Sequence, residues 1–131
     1  MYLAVLPQKA KENFLNLALY VANADNQFSA EEQNMLNAFA GEMNISYKPT
    51  AMPLDEILSQ FSDLSLSEKK IVFFELMGLV VVDNHLAKEE KEILERTLTA
   101  LNLPPEFYEE SRKAVTKIAE IYRETNDLIF Q

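Results

Sequence analysis

The stretch ADNQFSAEEQNML at Ala24–Leu36 returns as VDNHLAKEEKEIL at Val82–Leu94, 58 residues further on. Shifted by that interval, the two halves of the chain align without a gap. Asp25 falls on Asp83, Asn26 on Asn84, Glu31 on Glu89, Glu32 on Glu90, Leu36 on Leu94 and Asn44 on Asn102. Apolar positions match too: Phe28 with Leu86, Met35 with Ile93, Met43 with Leu101, Ile45 with Leu103, and upstream Ala18, Leu19, Val21 and Ala22 with Leu76, Met77, Leu79 and Val80. Each half reads as a helix, a short acidic corner and a second helix. One such hairpin cannot bury its apolar stripe alone, but two can pack face to face around a local two-fold axis. The expected fold is therefore all-α, one domain over residues 1–131, with two pseudo-symmetric helix hairpins at about 9–46 and 67–104 and a helical stretch at 105–131. It should hold about six to seven helices.

Apolar spacing is helical almost throughout. Phe14, Leu17, Ala18, Val21 and Ala22 follow the i, i+3, i+4, i+7, i+8 spacing of one face, with Pro7 suited to the start and the pattern ending near Asp25. Ser29 is expected to open a second helix with the stripe Met35, Leu36, Phe39, Ala40 and Met43. Residues 44–52 read as loop, with Pro49 and Pro53 as breakers, before a short helix carrying Leu54, Ile57, Leu58 and Phe61. Ser67 is the expected N-cap of a fourth helix running to about Val82. Its apolar residues cover most of the circumference, as in a helix packed on several sides. A fifth helix carries Ile93, Leu94, Leu98 and Leu101. Pro104 and Pro105 start the last stretch, with Val115, Ile118, Ala119 and Tyr122 on one face and room for one break between Glu110 and Lys113. Leu128, Ile129 and Phe130 are expected to fold back onto the core; left outside, they would dock a partner or close a dimer.

Composition removes several classes of function. Both halves are acidic, with 3 basic and 8 acidic residues over 1–66 and 9 and 13 over 67–131, for a net charge of −9. Neither offers the basic field that nucleic acid requires. Gly41 and Gly78 are the only glycines, too few and too far apart for a P-loop or a dinucleotide fingerprint. The absence of cysteine excludes disulfides, thiolate metal sites and cysteine nucleophiles, and it suits a cytoplasmic chain. The start MYLAVLPQKAK makes a poor secretory signal. The longest apolar run, IVFFELMGLVVV, spans 12 residues and contains Glu75, whereas a membrane span needs about 20. A buried core segment in a soluble, cytoplasmic protein is the expectation.

The corners carry the candidate chemistry. Asn26 and Asn84 suit the left-handed turn at a helix C-terminus. Ser29 and Glu32 form S-x-x-E, a capping box, so Glu32 has a structural explanation. In the second copy the serine position is Ala87, which cannot cap, yet Glu90 is retained near the positive end of the helix dipole. Both glutamates share their helix's inward stripe, and side chains there lean toward the N-terminus, aiming them at their own corners. Asp25 and Asp83 sit where the preceding helix dipole disfavours negative charge. A cation shared by Asp25, Glu32, Asp83 and Glu90 would relieve that arrangement. With oxygen ligands throughout, calcium, magnesium or manganese fits better than zinc held through the lone His85. The spacing is not that of an EF-hand: counted from Asp25 or Asp83, position twelve is Leu36 or Leu94 instead of a bidentate glutamate.

The phrase Ala24-Asp25-Asn26-Gln27-Phe28-Ser29-Ala30-Glu31-Glu32, with its return from Val82-Asp83-Asn84 to Glu90, resembles the A-D-G-x-x-S-x-x-E corner of TerB-like domains, named for a tellurite-resistance protein. The resemblance covers about Lys9 to Leu103, with asparagine in place of the family glycine in both copies and Ala87 in place of serine in one. It implies an all-helical fold and divalent metal at Asp25, Glu32, Asp83 and Glu90, as one shared site or two. It also implies a non-enzymatic role in a bacterial stress response, often as a cytoplasmic partner of a membrane protein. The residues themselves leave two readings open beside it: a pure interaction domain whose acids cap helices and keep the surface soluble, and a metal-assisted hydrolase, for which no positioned acid and base can be named. Homo-oligomerisation fits either interaction reading; direct membrane insertion and nucleic-acid binding fit none.

Overall fold

Leu66–Val81 is apolar nearly all round, and the rest of the chain is arranged about it. The computed structural model describes residues 1–24, 30–81 and 87–131, and of Glu31 the backbone alone. Among these residues it is all-helical: a 3-10 turn at Leu3–Val5, then α1 (Gln8–Ala22), α2 (Ala30–Met43), α3 (Leu54–Ser59), α4 (Leu66–Val81), α5 (Lys88–Ala100) and α6 (Glu106–Phe130), with no strand. In α4 the side chains of Val72, Phe73, Glu75, Leu76, Met77, Leu79 and Val80 are all buried. They are covered by α1, α5, α6 and the 3-10 turn. No described helix is long and apolar enough to cross a membrane.

The remaining contacts follow from sequence pairing. α1 packs on α2 and on α3, and α3 touches α5. Phe14 meets the edge of Phe39 at 5.3 Å between ring centroids, joining the stripes of α1 and α2. Two buried asparagines tie α1 to its neighbours. Asn13 donates through Nδ2 to the Ile57 carbonyl at 2.7 Å. The Asn16 Oδ1 accepts from the Thr50 N–H at 2.7 Å and the Tyr47 hydroxyl at 3.1 Å. These bonds fix the 47–53 segment against α1. The buried carboxylate of Glu75 accepts the Tyr2 N–H at 2.6 Å, and Glu42 accepts the Leu3 N–H at 3.0 Å. The charge inside the apolar run of α4 therefore anchors the first residues of the chain.

Helix ends show why the boundaries fall where they do. Pro7 and Pro53 stand at the N-caps of α1 and α3 in extended conformation, where a missing N–H is no loss. α4 begins two residues earlier than its Ser67 suggests. Ser65 Oγ accepts the Glu68 N–H at 3.2 Å while Glu68 accepts the Ser65 N–H at 2.9 Å, a reciprocal capping box. Ser67 is instead inside the first turn. The C-termini of α2 and α5 match each other. Asn44 and Asn102 have φ of 54° and 55°. The Ile45 N–H reaches the Ala40 carbonyl (3.2 Å) as the Leu103 N–H reaches Leu98 (3.1 Å), and the Asn44 N–H reaches Gly41 (3.2 Å) as the Asn102 N–H reaches Thr99 (3.0 Å). Both ends are Schellman motifs, with Ile45 and Leu103 folded onto the core. They lie 58 residues apart, the interval of the acidic phrase.

α6 departs from expectation. It is unbroken through Glu110–Lys113, with no glycine or proline in its span. Arg112 pairs with Glu109 at 3.0 Å across that region. Its first half packs on α4: Phe73 lies 5.8 Å from Phe107 and 6.0 Å from Tyr108 between ring centroids, and Ser111 and Val115 are buried. Burial first, then the negative charges of Glu95 and Glu109, raise the pKa of the Tyr108 phenol. From Glu120 onward every residue is exposed, so the helix overhangs the body by about 16 Å. The final apolar residues do not fold back: Leu128 and Phe130 are 83% and 81% exposed.

The left-handed caps give a stability test. Asn44→Ala and Asn102→Ala should each lower the unfolding free energy by about 1 kcal/mol, while Asn→Gly at either position should leave it level or raise it. Urea unfolding measures this, and equal losses for alanine and glycine would show that backbone handedness is not what selects asparagine.

Candidate functional site

Asp25 and Asp83 lie outside the described residues, as do Asn26, Ser29, Asn84 and His85. The other two residues of the expected set are described. Glu32 and Glu90 stand at the third position of α2 and α5, each half-buried. Glu90 turns back to the start of its helix, where it accepts the Ala87 N–H at 3.2 Å. This is the glutamate half of a capping box; alanine has no acceptor for the other half. The orientation expected from the inward stripe is therefore present at Glu90, and the cap accounts for part of its role in the second copy. Among the described residues no group of three or more Asp, Glu or His is placed to hold a metal ion.

The described flanks of the two corners do face a common space. A cleft of about 670 Å³ opens between α1 and α5 and is lined both by Ala24, which precedes Asp25, and by Glu89, which precedes Glu90. Leu19, Tyr20 and Asn23 of α1 form one wall, and Glu92, Ile93 and Arg96 of α5 form the other. Each wall is one helix face, at steps of i, i+3, i+4 and i+7 counted from Asn16 and from Glu89. Ala51, Met52 and Pro53 close the third side, held there by the hydrogen bonds from Asn16. Ile93 is buried, Leu19, Tyr20 and Met52 are half-buried, and Glu89, Glu92 and Arg96 are exposed. The base is thus apolar and the rim charged, a common construction for a binding cleft.

Electrostatics along the α5 wall are uneven. Arg96 sits four residues after Glu92, a spacing that favours an ion pair within the helix. Its guanidinium instead pairs with Asp55 of α3, joining α5 to α3. A shallower hollow of about 510 Å³, which shares Glu92 and Arg96 with the cleft, lies against Asp55 and Leu58. Lys91, on another face of α5, acts on Glu109 of α6.

Glu89 belongs to the repeated phrase, but Glu92 and Arg96 are not matched acidic or basic residues in the first copy, where Asn34 and Ala38 stand. The wall is legible only once α1 and α5 are known to face each other. No protein-family model, curated protein or solved structure matches the chain.

Glu90→Ala should cost about 0.5–1 kcal/mol of stability through the lost cap, and Glu90→Gln, which keeps an acceptor, distinctly less. Thermal or urea unfolding of both variants decides it. A glutamine variant as unstable as alanine would assign the effect to charge instead of the hydrogen bond.

Proposed function

We propose that the chain is a non-enzymatic helical module that works by docking onto another protein, and that the exposed end of α6 is its docking element. The observation carrying this reading is the continuity of one apolar stripe. Ser111 and Val115 are buried against the body, and the same side of the helix continues as Ile118, Ile121, Tyr122, Thr125, Leu128 and Ile129. Ile121, Tyr122 and Ile129 are 61%, 62% and 62% exposed. A surface helix with nothing to cover has little use for such a stripe.

The same reading includes a divalent cation at Asp25, Glu32, Asp83 and Glu90, calcium, magnesium or manganese before zinc, as the resemblance to TerB-like domains implies. What supports it is the pair of half-buried glutamates at equivalent helix starts. In that setting the protein would act in the cytoplasm in a bacterial stress response, beside a partner that is itself membrane-associated. A pure interaction domain, with acids that only cap helices, keeps the docking role and drops the cation.

Two experiments separate these parts. A photo-crosslinking amino acid at Ile129 should give a discrete adduct in cells, and the same group at Asp127, on the opposite side of α6, should not; matching patterns from both positions would remove the docking stripe. Calorimetric titration with calcium, manganese and zinc should show binding at about micromolar Kd, within the range of oxygen-ligated sensor sites, and the heat should vanish in Asp25→Asn/Asp83→Asn. Silence with all three ions would leave the interaction-only reading.

A further inference from the structure

We infer that the cleft between α1 and α5 receives a lysine or arginine side chain from a basic peptide segment of a partner protein. This site is distinct from the α6 stripe and does not depend on it. The inference starts from the two carboxylates at one end of the cleft. Among the described residues Glu89 and Glu92 form no ion pair, although Lys88 and Arg96 stand four residues to either side of Glu92. Arg96, the natural i+4 partner of Glu92, is committed to Asp55, and Lys91 acts on Glu109. Of the cations of α5, Arg96 is therefore paired outside the cleft, while Lys88 is exposed beside Glu89 and makes no ion pair with it.

The facing wall adds to the same field. Asn23 caps the C-terminus of α1 and Ala24 follows it, at the negative pole of the helix dipole, and no basic residue stands in the last turn of that helix. Glu89 and Glu92 therefore meet the negative end of a second helix across the space. The positive pole of α5 offsets part of the Glu89 charge, and the Glu92 carboxylate with the α1 terminus leaves the space better suited to a positive group than to a phosphate or carboxylate. The Tyr20 ring lies on the α1 wall, and an aromatic face adds to the hold on a cation.

The apolar base selects the kind of cation. Leu19, Met52, Pro53 and Ile93 offer a surface for a methylene stem beneath the charged rim. A hydrated metal ion makes no use of such a base. Lysine and arginine have the required form, an aliphatic stem ending in a positive head. From Glu89 to Arg96 the wall runs about 10 Å, the length of about three residues of extended chain. The Asp55–Arg96 pair closes the other end, where its mixed charge suits a backbone amide better than a second cation.

The test uses the full chain and two capped peptides, acetyl-Ala-Arg-Leu-Lys-Ala-amide and its counterpart with glutamate in both basic positions. Amide spectra should show saturable shifts at Tyr20, Asn23, Glu89 and Glu92 with the basic peptide and none with the acidic one. Glu89→Gln/Glu92→Gln should weaken that binding by about fivefold or more while the chain stays folded with no more than a small drop in melting temperature, as expected for a lost first-turn carboxylate. Glu106→Gln/Glu110→Gln, equal in charge and on α6, should bind as the wild type does. Three results would overturn the inference: no saturable shift at the cleft, equal loss in the α6 variant, which would mean unspecific attraction to an acidic protein, or the same shifts produced by calcium or manganese alone with no response to peptide. Because none of these variants touches the α6 stripe, failure here leaves the docking element untouched.

Discussion

A helix without a polar face has to be surrounded, and α4 imposes that requirement on the whole chain. Its seven buried positions need cover on every side, which α1, α5, α6 and the 3-10 turn supply. Fully burying large apolar side chains is worth about 1.5–3 kcal/mol each, so α4 accounts for a large share of the driving force of a domain this size. Phe73 shows the dependence at one residue: it is fully buried and carries both aromatic contacts to α6. The single charge in the run, Glu75, is tolerated because the Tyr2 N–H reaches it. A buried carboxylate without such partners would be costly.

Much of this fold was legible in the sequence because the helical signals are local. Stripes at i, i+3 and i+4 mark each helix, and the 58-residue register predicts that Asn44 and Asn102 occupy equivalent places. Both residues take the left-handed conformation at the ends of α2 and α5. Departures arose where two local signals competed or where a tertiary choice decided. Ser65 and Ser67 both precede the apolar run, and only Ser65 has a glutamate three residues later, so the reciprocal cap goes to it. In α6 a break was expected between Glu110 and Lys113, but with no glycine or proline there the helix runs on, and Arg112 and Glu109 pair along it. The tail was expected to return to the core on hydrophobicity alone, yet an uninterrupted helix cannot turn back.

The candidate site divides the same way. The place of Glu90 follows from its distance to Ile93 and Leu94, and its carboxylate points where that spacing aims it. The cleft did not follow from any motif, because its walls belong to helices separated by the length of the chain between Tyr20 and Glu89. Nothing in either segment says that Arg96 will reach Asp55 and not Glu92. Charge arrangement across a packed pair of helices is a tertiary property, and sequence spacing reports only the faces that are available to it.

The overhang of α6 bears on how docking would proceed. Starting a helix is unfavourable, but extending one adds a hydrogen bond for each residue fixed. The first half of α6 is held by Phe73 and its neighbours, so the initiating turn is already formed when the chain passes Ile118. Residues 119–130 contain no glycine or proline, and the Thr125 hydroxyl bonds back to the Ile121 carbonyl at 2.8 Å. The exposed turns are therefore presented as helix before any partner arrives. A segment that had to fold on contact would lose part of its binding free energy to ordering, commonly about 2–5 kcal/mol. A stripe borne on a helix anchored at one end avoids most of that cost, which favours a rigid groove as its counterpart over a surface that must mould itself around a flexible tail.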